Sequence, residues 1–179
     1  HTYLPLYISL LSSFIGRRDT AYIDKLADKF GSRIDPKYRD SFISYTHMCR
    51  SFMEKQFGHA LEFHSGISYD HNLIRINAKL MLIQIYYELE FTEELLSLVD
   101  STIKYFKALK NYSKFKRDSI LRFLKLVKKL ARLRAAGTVP APETETELNA
   151  QNDIHFKGWL REKFESLYGR MPAAAGNIT

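Results

Sequence analysis

The sequence predicts an all-α fold: a stack of helical hairpins closed by a capping helix at its C-terminal end. Three observations carry that expectation. Apolar residues recur at three- and four-residue spacing along most of the 179 residues, and no segment reads as a strand or β-hairpin. Gly occurs 8 times and Pro 5 times, low for a turn-rich all-β chain. A helix, a short turn and a second helix then recur at a fixed period.

The first helix is expected over Leu6 to Ile15. The apolar stretch around it, Tyr3 to Ile15, is too short to cross a bilayer and lacks the basic flank of a signal peptide. Gly16-Arg17-Arg18-Asp19 ends it, and Asp19 or Thr20 caps a second helix running to about Phe30, with Gly31 as its C-cap glycine. Asp35-Pro36 opens a third helix, with proline at the first helical position, reaching about Lys55. Gln56 to Gly58 forms a tight turn, and Ala60 to about Ile67 is the partner helix. After a break at Tyr69-Asp70-His71-Asn72, Leu73 to Leu89 is apolar around most of its girth, as a central helix must be.

Thr92-Glu93-Glu94 starts the next helix, with Leu95, Leu98, Val99, Thr102, Ile103 and Phe106 facing inward. Its acids lie at the N-terminus and Lys107 and Lys110 near the C-terminus, as the helix dipole favours. Asn111-Tyr112-Ser113 breaks the chain before Lys114 to Ala135. There Ile120, Phe123, Leu124, Val127, Leu130 and Ala131 face inward, and Arg122, Lys125, Lys128, Lys129 and Arg132 share an arc of about 120° on the other side. Gly137 to Asp153 combines Pro, Thr and Glu with no basic residue, so it reads as a mobile acidic linker. Ile154 to Tyr168 is a last amphipathic helix, with Phe156, Trp159, Leu160, Phe164 and Leu167 on one face. Gly169 and Pro172 end it, and Ala173 to Thr179 is expected to fray. The domain plan is thus an array over 1–136, a linker over 137–153, a capping helix over 154–170 and a tail over 171–179.

Composition narrows the function classes. A 45% hydrophobic, 13% aromatic chain is not wholly disordered, and at this length it needs no disulfide or metal staple. One cysteine, Cys49, excludes an internal disulfide and a Cys-cluster metal site. It suits a reducing compartment, and a soluble, cytoplasmic chain is expected. The net charge of +7 is uneven. Lys104 to Arg134 holds twelve basic residues and one acid, Asp118, which leaves the remainder at −4. Such a segment bears on partners and association rates rather than on fold.

A shift of 34 residues aligns Met48 with Leu82, Phe52 with Tyr86, Met53 with Tyr87, Phe57 with Phe91 and Leu61 with Leu95. A further shift back places Phe14, Ile23, Ala27 and Phe30 under Met48, Phe57, Leu61 and His64. In period and layout, about Tyr3 to Asn111 resembles the tetratricopeptide (TPR) repeat. The signature is degenerate: larger residues mostly replace the small ones at the helix–helix contact, and no Trp-Leu-Gly run occurs. The basic Leu-rich helix, the linker and Trp-Leu-Arg-Glu-Lys-Phe (Trp159 to Phe164) resemble the close of large bacterial TPR-like proteins, some from Bacteroidetes. The resemblance implies a right-handed stack of TPR-like hairpins with a C-terminal capping helix, and a chain starting at His1 inside a longer array. It also implies a non-enzymatic scaffold that presents a groove or face to a peptide or protein partner.

No Gly-rich phosphate loop, Gly-x-Ser-x-Gly or His-Glu-x-x-His occurs, and no cofactor is implied. His59, His64 and His71 would suit zinc only if they converged on one open face; polar or half-buried imidazoles are the simpler reading. Cys49, inside a helix, reads as a buried structural thiol. Glu88, Glu90, Glu93 and Glu94 read as capping and solubilising acids. The face Arg122, Lys125, Lys128, Lys129 and Arg132 is either a solvated surface or a site for an acidic protein segment, nucleic acid or anionic lipid. Nucleic acid is second choice, because no reading motif accompanies the charge. Against lipid, the helix's own apolar side should be buried by the array. The acidic linker is a third, internal cover. The final helix must dock, on a surface beside Phe123, Val127 and Leu130 or on a neighbouring molecule as a swapped dimer. Trp159→Ala is expected to cost about 3–5 kcal/mol if the ring is fully buried.

Overall fold

The structure, a computed structural model, describes residues 4–17, 19–110, 112–150 and 153–169, and these form nine α-helices and no strand. The predicted fraying of the tail lies outside the described residues. The chain divides into two compact units, His1–Glu90 and Phe91–Thr179. The division falls in the turn between two helices of one predicted hairpin, and not at 136, where the composition changes.

The first unit holds α1 (Leu4–Arg17), α2 (Thr20–Gly31), α3 (Pro36–Met53), α4 (Phe57–Ser65) and α5 (Asn72–Glu88). Its helix starts follow the expected chemistry. Asp19 accepts the Tyr22 N–H at 3.3 Å, and Asp35 accepts the Lys37 N–H at 3.0 Å ahead of Pro36. The cap of α5 is His71, whose Nδ1 accepts the Leu73 N–H at 3.2 Å. Each helix packs on its neighbours in the chain: α1 on α2, α2 on α3, α3 on α4 and α4 on α5, while α1 and α5 also touch α3. Tyr7, Leu11, Ile23, Phe42, Met48, Ile74 and Ile83 are fully buried among them. α5 is apolar around most of its girth, as expected, with ten of its residues buried.

Gly31 differs from its predicted role. It is the last residue of α2 and is buried, and Ser32 is the C-cap. Its carbonyl accepts the Arg39 Nε–H at 3.0 Å, and Arg39 Nη2 reaches the carbonyls of Ser32 and Ile34 at 3.3 and 3.4 Å. A guanidinium from α3 thus closes a helix end that a left-handed glycine often closes. The tight turn after α3 also comes earlier than predicted. It turns on Lys55 at φ +59°, and the turn after α5 turns on Glu90 at φ +62°. The Lys55 N–H bonds to the Phe52 carbonyl at 3.1 Å and the Glu90 N–H to the Tyr87 carbonyl at 3.2 Å. The turns therefore recur at an offset of 35, one more than the side-chain pattern gives.

The second unit holds α6 (Thr92–Ala108), α7 (Lys114–Ala135), α8 (Pro142–Ala150) and α9 (Lys157–Tyr168). α6 packs on α7, α7 on α9 and α8 on α9. α7 ends at Ala135, and Gly137 just beyond its cap takes a φ of +61°, which glycine adopts without strain. Within 137–153, the stretch read as a mobile acidic linker, residues 142–150 form α8. Thr144 and Leu148, one helical turn apart, are buried. The Lys157 ammonium donates to the Asn149 carbonyl at 3.3 Å, and the Tyr168 hydroxyl donates to the Pro140 carbonyl at 2.9 Å. Among the described residues no helix is long and apolar enough to cross a membrane.

Candidate functional site

Helix α7 has two sides. Ser119, Ile120, Phe123, Leu124, Leu126, Val127, Leu130 and Ala131 are buried. α9 lies on this apolar side, as its own stripe predicts. The Phe123 ring meets Phe156, Trp159 and His155 at 5.3, 6.2 and 6.4 Å between centroids. Leu160, Phe164 and Leu167 are buried, but Trp159 is only half-buried, so the large cost expected for a fully buried ring does not apply to it.

The five predicted basic residues share one helix face, but the structure separates them into two kinds. Arg122 pairs with Asp153 at 2.5 Å, and Lys128 hydrogen-bonds Asp100 of α6. Both cations are half-buried. The Lys128 hydrogen bond, with the further attraction of Arg132 and Lys104, holds the Asp100 carboxyl below its usual range. Lys125, Lys129 and Arg132 are exposed, and neither Lys125 nor Lys129 has an ion-pair partner among the described residues. They fall at i, i+4 and i+7, on one stripe with rises of roughly 6 and 4.5 Å. The outward site is this row of three. The Arg122–Asp153 pair matches one contact of the internal cover expected from the acidic linker; Asp100, 28 residues from Lys128, leaves no local pattern and is shown by the structure alone.

The histidines are used singly. His59 bonds Gln56 at 3.3 Å, His64 bonds the Tyr69 hydroxyl, and His71 caps α5 with Tyr38 against its ring at 4.9 Å. Among the described residues no group of three His, Cys, Asp or Glu is placed to hold a metal ion. Burial lowers the affinity of His64, His71 and His155 for a proton. Cys49 is buried, and desolvation pushes its thiol up to about 12 despite a hydrogen bond with Tyr45. Of the acids, Glu93 and Glu94 lie in the first turn of α6, Glu88 is the last residue of α5, and Glu90 forms the left-handed turn.

Compared with known proteins, the chain matches no family model, no curated protein and no solved structure.

Proposed function

We propose that the chain is a non-enzymatic interaction scaffold, a right-handed stack of TPR-like hairpins that presents a face to a protein or peptide partner. The neighbour-on-neighbour packing of α1 to α5 and the left-handed turns at Lys55 and Glu90 support the repeat reading. The single free thiol, Cys49, fits a cytoplasmic setting. The observation that carries the choice of face is the exposed row Lys125, Lys129 and Arg132. Its rises of roughly 6 and 4.5 Å equal those of carboxylates at i, i+4 and i+7 of an acidic helix. Polyglutamate and a generic single-stranded RNA, each titrated against salt, test the reading. Polyglutamate should bind, and Lys125→Glu/Lys129→Glu/Arg132→Glu should abolish binding.

The second reading is a polyanion site along residues 114–135, favoured by the added exposed lysines Lys114 and Lys116 on the same helix. RNA binding with a log–log salt slope of about −3.5, the value for five phosphate contacts on a single strand, would support it over the first.

A further inference from the structure

The end of the α6–α7 hairpin carries a second charged feature, apart from the row. The last turn of α6 holds Lys107 with Lys110 just beyond it, and the first turn of α7 holds Lys114, Lys116 and Arg117. No acid stands between Asp100 and Asp118. The connection is pinned from behind: Arg117 Nη1 donates to the Leu109 carbonyl at 3.3 Å, and the Tyr112 ring lies 5.5 Å from the buried Phe106 ring. Phe115 takes no part in this pinning. It is 67% exposed, the most exposed large apolar side chain among the described residues. At one residue beyond the first helical position it falls outside the apolar arc of α7, which the helical spacing alone reveals. One exposed apolar side chain is ordinary; one between Lys114 and Lys116 at a hairpin end with Lys107 and Lys110 is not.

We propose that this hairpin end docks on an anionic membrane surface, with Phe115 entering the interface and the four lysines lying among the headgroups. The side-chain types favour lipid over nucleic acid or an acidic protein. The free cations are all lysine, compact hydrated point charges that suit a diffuse anionic plane, and the one arginine fork is turned to the Leu109 carbonyl. Phe115 carries no polar atom, so it enters an apolar interface without leaving a group unsatisfied; stacking on a base is the competing use of the ring that the RNA arm of the test reads. Lys107, Lys110, Lys114, Phe115 and Lys116 are all exposed, and all lie at the same end of the α6–α7 hairpin. No membrane-spanning helix is needed: clustered lysines near an anionic leaflet and one inserted aromatic ring give reversible binding. The site does not rest on the partner assigned to Lys125, Lys129 and Arg132. Lys125 stands roughly 16 Å along α7 from Lys114, beyond the Debye length of about 8 Å at physiological ionic strength.

Co-sedimentation of the full chain with phosphatidylserine–phosphatidylcholine vesicles, against pure phosphatidylcholine, tests the proposal. Binding should require phosphatidylserine and weaken with salt. Lys114→Ala/Lys116→Ala should lower the vesicle affinity by about 30-fold, from roughly a factor of five per lysine near the surface. Phe115→Ala should lower it by about 10-fold and leave the circular dichroism unchanged, since the ring supports no core. Lys125→Ala/Lys129→Ala should leave vesicle binding as it is. Equal binding to both vesicles, no binding to either, or full binding by the Lys114→Ala/Lys116→Ala variant would overturn the proposal. So would binding to single-stranded RNA that needs Phe115 while vesicles fail to sediment the chain.

Discussion

Phe123→Ala removes the side chain on which α9 is seated. The ring is fully buried, and truncating a buried phenylalanine costs about 3–5 kcal/mol through lost transfer energy and the cavity left behind. Its three ring neighbours, Phe156, Trp159 and His155, stand at 5.3, 6.2 and 6.4 Å, within the range where aromatic pairs add about 0.5–1.5 kcal/mol each. Part of that addition is already inside the truncation figure, so the expected loss is about 5 kcal/mol. A domain holds only about 5–15 kcal/mol in all, so α9 should come away from α7 in mild denaturant. Trp159, the one tryptophan, is half-buried beside Phe123 and serves as the local reporter. Its emission should shift red in the variant, and the urea midpoint followed at Trp159 should fall. Phe123→Leu keeps most of the volume and should lose only about 1–2 kcal/mol. A Phe123→Ala loss below about 1 kcal/mol, with Trp159 emission unchanged, would refute the docking of α9 on this face.

Three further outcomes are expected. Lys55→Gly should raise stability by about 1 kcal/mol in thermal denaturation, because a non-glycine residue at φ +59° bears a left-handed strain that glycine does not; Gly137→Ala should lower it by a similar amount. Acid should weaken the fold through His64, His71 and His155, whose folded pKa values burial holds below 6.5. The sign follows from linkage: above 6.5 both states are neutral and stability is full, and below it the unfolded chain takes up protons first, so urea midpoints should decline as pH falls and decline less in His71→Asn, which can still cap α5. Cys49, buried with its thiol pushed up to about 12, should resist a disulfide-exchange reagent in the native chain and react fully in denaturant.

Much of the scaffold is legible in the residues because its signals are local. Asp19 and Asp35-Pro36 mark helix starts by their own chemistry, and the apolar arc of α7 names the side that α9 covers. What escaped detection depends on residues far apart. The end of α2 is closed by Arg39 from the next helix, so Gly31 only imitates a terminating glycine. Helix α8 shows two inward residues, Thr144 and Leu148, in a stretch of Pro, Thr and Glu, too few to register as a period. Lys55 and Glu90 adopt a conformation that sequence reasoning reserves for glycine, which hid the turns and their spacing. The basic face shows both cases: helical spacing gathers its five cations and the acidic linker offers Asp153 to Arg122, but only packing reveals that Asp100 takes Lys128.

The scaffold reading is tested most directly by a photo-crosslinking residue placed at Lys129, and at the exposed Lys55 for comparison, in cells that make the protein. A discrete protein adduct is expected at 129, absent at 55 and lost when Lys125 and Arg132 are changed to Glu. Adducts of equal yield at both positions, or an adduct at 129 that nuclease removes and protease does not, would contradict the scaffold reading.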